Sequence, residues 1–357
     1  MTVRRVQVTD FRCLHQADLD LDPQFTLISG PNASGKTSLL EAIYVLGRGR
    51  SFRTRRIDHL VRAGAQRLIV FGEVEKAHRS VGLGIEGSAS GFRAKIGGER
   101  VSSLAELAAA LPVQIIDPEI HRLIEEGPSR RRRFLDWGVF HVEPGFVATW
   151  QKYTLVLRQR NAVLKAAQSS SMVSAWDGEL IRHGELLTEA RMRYVERLAP
   201  VADSLASKLL GMKLALTYRS GWARDLSLRE ALDRSRRQDQ ELGATQVGPQ
   251  RADLSIRLDG LPARDRISRG QQKLLAAVLL LAQINLFPEE CAVRPMLLLD
   301  DPAAELDLGR LAALIREVRA QSLQLVVTTL HEELDELSAF GTPGRRYRLD
   351  AGSIREE

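Results

Sequence analysis

Residues Gly30-Pro31-Asn32-Ala33-Ser34-Gly35-Lys36-Thr37 fit the pattern G-x-x-x-x-G-K-[ST], and no other stretch restricts the fold so tightly. A loop that cradles phosphates turns its backbone N–H groups inward, which glycine permits because it carries no Cβ. Such a loop needs a strand to deliver it and a helix whose positive N-terminal end faces the anion. Phe25–Ser29 reads as that strand and Ser38–Leu46 as that helix. Lys36 adds a full positive charge, and the Thr37 hydroxyl is suited to Mg2+. Alone, the loop specifies a nucleotide and leaves the chemistry open.

A phosphate loop also needs a carboxylate for the metal. Leu297-Leu298-Leu299-Asp300-Asp301 supplies one at the end of an apolar strand: Asp300 is expected on Mg2+ and Asp301 as general base. The plainer reading, an Asp capping a helix before Pro302, accounts for one of these carboxylates and not for both. Upstream, Ser268-Arg269-Gly270-Gln271 opens the apolar helix Gln271–Ile284. A serine at a helix start offers a cap hydroxyl and free N–H groups, hence a second anion site or an ordinary cap. Glu305-Leu306-Asp307 completes the series.

Period-two alternation marks strands at 3–8, 68–74, 80–86 and 92–96, with Gly97-Gly98 as a hairpin turn, so an antiparallel β lobe is expected beside the nucleotide loop. After Pro112 the character changes. Val113–Ile116 reads as one more strand; helices follow at 130–140, 146–167 and 175–210, with Ser169–Ser171 as a linker and Pro200 as a kink or short break. Strands return at 214–218, 252–258, 296–299 and 323–327, with a charged helix at 226–242 and an amphipathic one at 306–321. No sustained heptad pattern supports a long coiled coil. The reading gives a β-rich N-terminal part at 1–112, a helical middle at 113–244 and a C-terminal α/β part at 245–357.

The net charge is +6, which favours polyanionic partners without saying anything of fold. Two cysteines, Cys13 and Cys291, cannot build a disulfide framework, so a reducing cytoplasm is expected. The N-terminus lacks a signal-like apolar core, and the run 274–282 falls short of a membrane span.

The order of these motifs resembles ABC-type ATPase heads, in which a signature serine of one subunit closes on ATP held by another. Arg269 stands where transporter subunits carry the first glycine of that signature. Gly127-Pro-Ser-Arg-Arg-Arg-Arg-Phe-Leu-Asp-Trp137, the stretch Tyr153–Asn161 and Thr245-Gln-Val-Gly-Pro-Gln-Arg251 extend the likeness to the RecF family of bacterial recombinational repair. It covers nearly the whole chain, with Gln250 and Ala252 departing where a His and an acidic residue are expected.

The resemblance implies an α/β fold: an ABC-type head with a P-loop core, an antiparallel β lobe and an inserted, mainly helical lid. It implies an ATP- and Mg2+-dependent homodimer and a weak ATPase serving replication, repair and the SOS response. Residues 30–37 of one copy would face Ser268, Gly270 and Gln271 of the other. Asp307 would lie in the crossing loop, Gln114 would sense the γ-phosphate, and His331 would act as a switch. DNA (duplex, and single-stranded gaps) and mediators like RecO and RecR would be partners, with no membrane involved. A transporter ATPase subunit and a non-hydrolysing nucleotide-binding adaptor are the alternatives.

For DNA, consecutive Arg130–Arg133 spread around a helix at about 100° per residue and cannot share a face. Pairing with Glu125, Glu126 or Asp136 is expected for some of them. Arg48, Arg50, Arg53, Arg55 and Arg56 lie in a Gly/Ser-containing loop and form the better candidate for following a phosphate backbone.

Overall fold

Thr2–Phe11 (β1) and Leu14–Asp20 (β2) pair antiparallel and turn Val6, Val8, Leu14, Ala17 and Leu19 inward. Val3 is buried too, out of phase with Val6, because the register shifts between Val3 and Arg5. Phe25–Ser29 (β3) leads through residues 30–35 into helix Lys36–Arg48 (α1). Arg67–Lys76 (β4), Arg79–Ser88 (β5), Gly91–Ile96 (β6) and Glu99–Arg100 (β7) complete an antiparallel sheet ordered β2-β1-β4-β5-β6-β7. Gly97 and Gly98 have φ of 58° and 87°, the pair of left-handed residues a tight two-residue hairpin requires. Leu104–Ala110 (α2), opened by a Ser103–Glu106 capping box that the sequence reading passed over, precedes Val113–Ile116 (β8).

The helical region follows: Arg122–Glu125 (α3), Pro128–Val142 (α4), Phe146–Lys165 (α5), Ser170–Ser174 (α6) and Asp177–Leu210 (α7). Ser169–Ser171, expected as a linker, instead starts α6, and α7 runs on through Pro200 without a break. Leu214–Arg219 (β9), Leu228–Leu242 (α8), Asp253–Leu258 (β10), Leu261–Pro262 (β11) and Ala263–Arg266 (α9) lead to Arg269–Asn285 (α10), and β11-β10-β9 form a small antiparallel sheet. A Cβ on Gly138 would lie 2.1 Å from the Tyr194 hydroxyl, so α4 and α7 touch where only glycine fits.

The chain then returns to its first region with Met296–Leu299 (β12), Leu308–Arg319 (α11), Gln324–Thr329 (β13), Arg345–Asp350 (β14) and Ser353–Glu356 (β15). The second sheet is ordered β15-β14-β3-β13-β12-β8, parallel except for β15. Strands β3, β13, β12 and β8 are buried throughout, as strands covered on both faces must be. Helix α1 is buried on nearly every side, in one apolar core with residues of both six-stranded sheets. The β14–β15 hairpin was not legible in the sequence.

The computed structural model describes residues 2–76, 79–287, 295–304, 308–321, 323–330 and 341–357. The chain divides into two compact units, Met1–Ile120 with Phe287–Glu357, and His121–Leu286. These limits differ from breaks at 112 and 244: β8 is an edge strand of the first unit's parallel sheet, and α10 groups with the helices that precede it.

Candidate functional site: a phosphate loop and its carboxylates

The site lies at the C-terminal ends of β3, β13 and β12, where parallel α/β sheets hold their ligands. Gly30 N–H donates to the Thr329 carbonyl, and a Cβ on Gly30 would fall 2.2 Å from the Leu349 carbonyl oxygen. Gly35, at φ 111°, caps α1 in a backbone conformation that favours glycine. The loop's two glycines are thus required for separate reasons, close packing at Gly30 and conformation at Gly35. Ala33 also takes a positive φ, 61°. The Ser34 carbonyl accepts from Gly352 N–H, so the β14–β15 turn braces the loop.

Lys36 is buried, and its Nζ donates to the carbonyls of Gly30 (2.9 Å) and Pro31 (3.2 Å) while lying 3.7 Å from the Asp301 carboxylate. The Thr37 hydroxyl lies 2.9 and 3.1 Å from the two oxygens of Asp300. Thr328 on β13, missed by sequence reasoning, braces the Asp300 carboxylate and the Asp301 backbone. Its hydroxyl donates to Asp300 at 2.9 Å and accepts from the Asp301 N–H at 3.1 Å. The available signal was a hydroxyl pair, Thr328-Thr329, ending an apolar strand beside the one that carries the aspartates.

Burial pushes the Asp300 carboxyl up from its ordinary value, against the hydrogen bonds from Thr328 and Thr37 and the charges of Lys36 and Arg53. A raised carboxylate pKa stabilises the fold fully below the unfolded value of 3.8 and loses that stability as pH rises through the folded value. Asp300→Asn should therefore gain on the wild type, in unfolding without nucleotide or metal, as pH rises above the unfolded value. Urea midpoints on both sides of that value test this; a gain independent of pH would show that the charge is not the cause.

The set fits a magnesium–nucleotide. Hydroxyl and carboxylate oxygens are the hard donors Mg2+ takes, and Thr37 and Asp300 already converge. Lys36 caps carbonyls of its own loop, as a cation waiting on phosphate oxygens would. Ser34 Oγ is buried and has no hydrogen-bond partner among the described residues.

Gln114 is buried on β8 opposite Leu297 of β12. Ser268 caps α10 in the second unit: its hydroxyl accepts from Gln271 N–H, and its own N–H donates to Gln271 Oε1. Ser268 and Arg269 are exposed, Gly270 is half-buried, and Arg269 reaches His121 at 3.1 Å. The structure thus gathers Lys36, Thr37, Asp300 and Asp301, while Ser268, Gly270 and Gln271 make their contacts within the other unit. Glu305, Asp307 and His331 lie outside the described residues.

The arginine expectations are revised in part. Arg48 is half-buried, 5.5 Å from the Tyr44 ring centre. Arg53 faces the buried Glu41, which Arg12 also holds at 2.8 Å, and Arg56 pairs with Asp58. Arg50 and Arg55 of that loop form no ion pair among the described residues. Arg130 pairs with Glu126 as expected, Arg131 with Asp253, and Arg132 donates to the Ala252 carbonyl. Asp136 pairs with Arg191.

The family model described as RecF/RecN/SMC N terminal domain matches residues 2–339. A DNA replication and repair protein RecF of Pseudomonas entomophila (strain L48) is 40% identical over 361 residues, spanning 100% of this chain and 98% of its own. That of Yersinia pseudotuberculosis serotype O:1b (strain IP 31758) is 38% identical over 356 residues, covering 99% and 98%. A solved structure of the recombination mediator protein RecF-ATP in the RecFOR pathway matches with a TM-score of 0.89 at 27% identity, over 100% of this chain and 97% of that one. An Smc head bound to the C-winged helix domain of ScpA matches at 0.60 and 16% identity, a likeness of fold alone. Parallel core, antiparallel lobe and helical insertion are those of an SMC- and RecF-type ATPase head. On the identity and coverage of these relatives, the chain belongs to the RecF family of DNA replication and repair proteins.

Proposed function

We propose that this chain is an ATP-gated, DNA-binding dimer whose slow hydrolysis resets the gate. Convergence of the Thr37 hydroxyl on both Asp300 oxygens, beside a lysine folded onto its own loop, carries the reading. Residues 30–37 would wrap the phosphates, Lys36 would exchange loop carbonyls for phosphate oxygens, and Thr37 with Asp300 would hold Mg2+. Mg2+, when bound there, neutralises and polarises the phosphate oxygens. Asp301 orients the attacking water and takes its proton. Gln114 reports the γ-phosphate to β8.

The exposed start of α10 is the second jaw. Ser268, Gly270 and Gln271 of one copy close on the phosphates held by the other, so each dimer carries two composite sites. Exposure of Ser268 in a single chain, at the head of a well-capped helix, supports this. The closed dimer binds duplex DNA beside single-stranded gaps and helps load a recombinase, with mediators like RecO and RecR, in the cytoplasm. Among the described residues no helix is long and apolar enough to cross a membrane.

Lys36→Arg and Ser268→Arg should each abolish ATP-driven dimer mass and turnover. Mixed in equal amounts, the two variants should recover up to about half of wild-type turnover, since only mixed dimers form and each keeps one intact site of two. Light scattering with phosphate release measures both; a mixture as inactive as its components would refute sites shared between copies.

A further inference from the structure

A basic groove on the helical unit has no part in the nucleotide site. Two open cavities, about 440 and 370 Å3 in volume, meet at Asn161 on α5. Arg132, Arg251 and Ser129 line the first, and Arg158 and Lys165 the second. Among the described residues, none of Arg132, Arg158, Lys165 and Arg251 forms an ion pair with a carboxylate. The nearby acids are engaged elsewhere: Glu126 by Arg130, Asp253 by Arg131 and Asp136 by Arg191. Arg132 and Arg251 are held by neutral oxygens instead, the Ala252 carbonyl and Gln246 Oε1. Unrelieved positive charge along a concave surface draws polyanions.

We propose that this groove, rather than the loop at 48–56, is the principal seat of the nucleic-acid phosphate backbone, a proposal that rests on the DNA-binding reading above. The lining favours that occupant. It contains no aromatic side chain on which bases could stack and no carboxylate, while Asn161 and Ser129 supply amide and hydroxyl groups of the kind that contact phosphate. Burial, together with the like charges of Arg191 and Arg251, lowers the Arg132 pKa against the opposing pull of Asp253 and Asp136, whose own ion pairs are with Arg131 and Arg191. The lining thus suits a backbone without reading its sequence. Arg53 and Arg56, by contrast, are already paired.

The test compares duplex DNA affinity across salt concentrations, in the presence of ATP, for wild type, Arg158→Gln/Lys165→Gln, Arg132→Gln/Arg251→Gln and the loop control Arg50→Gln/Arg55→Gln. Arg158 and Lys165 are exposed and make no ion pair among the described residues, so their replacement leaves the fold intact even if loss of the Arg132 bond does not. Each groove pair should weaken binding at low salt at least tenfold and flatten the log–log salt slope by about 1.8, two contacts at about 0.9 each. The loop control should change both by less than half as much. Wild-type binding with unaltered slopes in both groove variants would overturn the groove and leave DNA binding standing. A wild type that binds no duplex would overturn both. Polyglutamate binding that the groove variants lose while keeping duplex affinity would assign the groove to an acidic protein partner and overturn the proposal.

Discussion

Asp301→Asn is expected to lower ATP turnover by about 10²- to 10⁴-fold, the range of a lost general base, while leaving ATP-driven dimer formation in place. Backbone geometry makes asparagine the informative replacement. Asp301 sits at φ 44°, in the left-handed region where Asn and Asp are tolerated and β-branched or bulky residues are strained. Its N–H donates to Thr328 whatever the side chain, so the residue keeps its place. What changes is the group 3.7 Å from Lys36: a carboxylate that accepts a proton becomes an amide that does not. Phosphate release and dimer mass, measured on one sample, separate the roles. Turnover within threefold of wild type would remove Asp301 from the chemistry, and loss of the dimer as well would make it a binding residue.

Much of this site could be read before any fold was known, because its parts are local. A glycine-spaced loop between β3 and α1, and an apolar strand ending in Asp300-Asp301, are patterns of adjacent residues dictated by backbone sterics and by metal charge. What stayed hidden was long-range. Thr328 reaches Asp300 only because β13 lies between β3 and β12, an order that no window of sequence contains. The β14–β15 hairpin is short and half-exposed with arginines, so its alternation did not stand out, yet Leu349 sets the limit on residue 30. Charge pairing was the least legible feature. Arg131 finds Asp253 and Arg53 finds Glu41 across loops and elements whose closeness sequence distance does not measure. The division at 112 followed a change in composition, whereas the observed unit keeps β8 because Met296–Leu299 hydrogen-bonds to it.

The second large effect is structural. Arg160 is fully buried between α5, α7 and α8, donating to Asp177 at 2.8 Å, to Asp239 at 2.7 Å and to Thr245 Oγ1 at 2.7 Å. Asp177 keeps a second cation in Arg236, whereas Asp239, itself fully buried, has Arg160 as its only ion-pair partner among the described residues. Replacing such a pair with apolar residues can be neutral, but removing one partner strands a charge away from water. Arg160→Met should therefore destabilise the chain by about 3–5 kcal/mol, read as a lower urea midpoint. Adding Asp239→Asn to Arg160→Met should recover part of the loss, because the stranded charge is gone and the amide oxygen can still accept from the Gln246 N–H that now donates to Asp239. Losses that simply add in the double variant would mean that Arg160 serves by filling volume, not by neutralising Asp239. The network also fixes Thr245, whose N–H and hydroxyl both donate to Asn161, the residue shared by the two basic cavities. A partly folded Arg160→Met chain should then lose duplex affinity at temperatures where its ATP-driven dimer mass still holds.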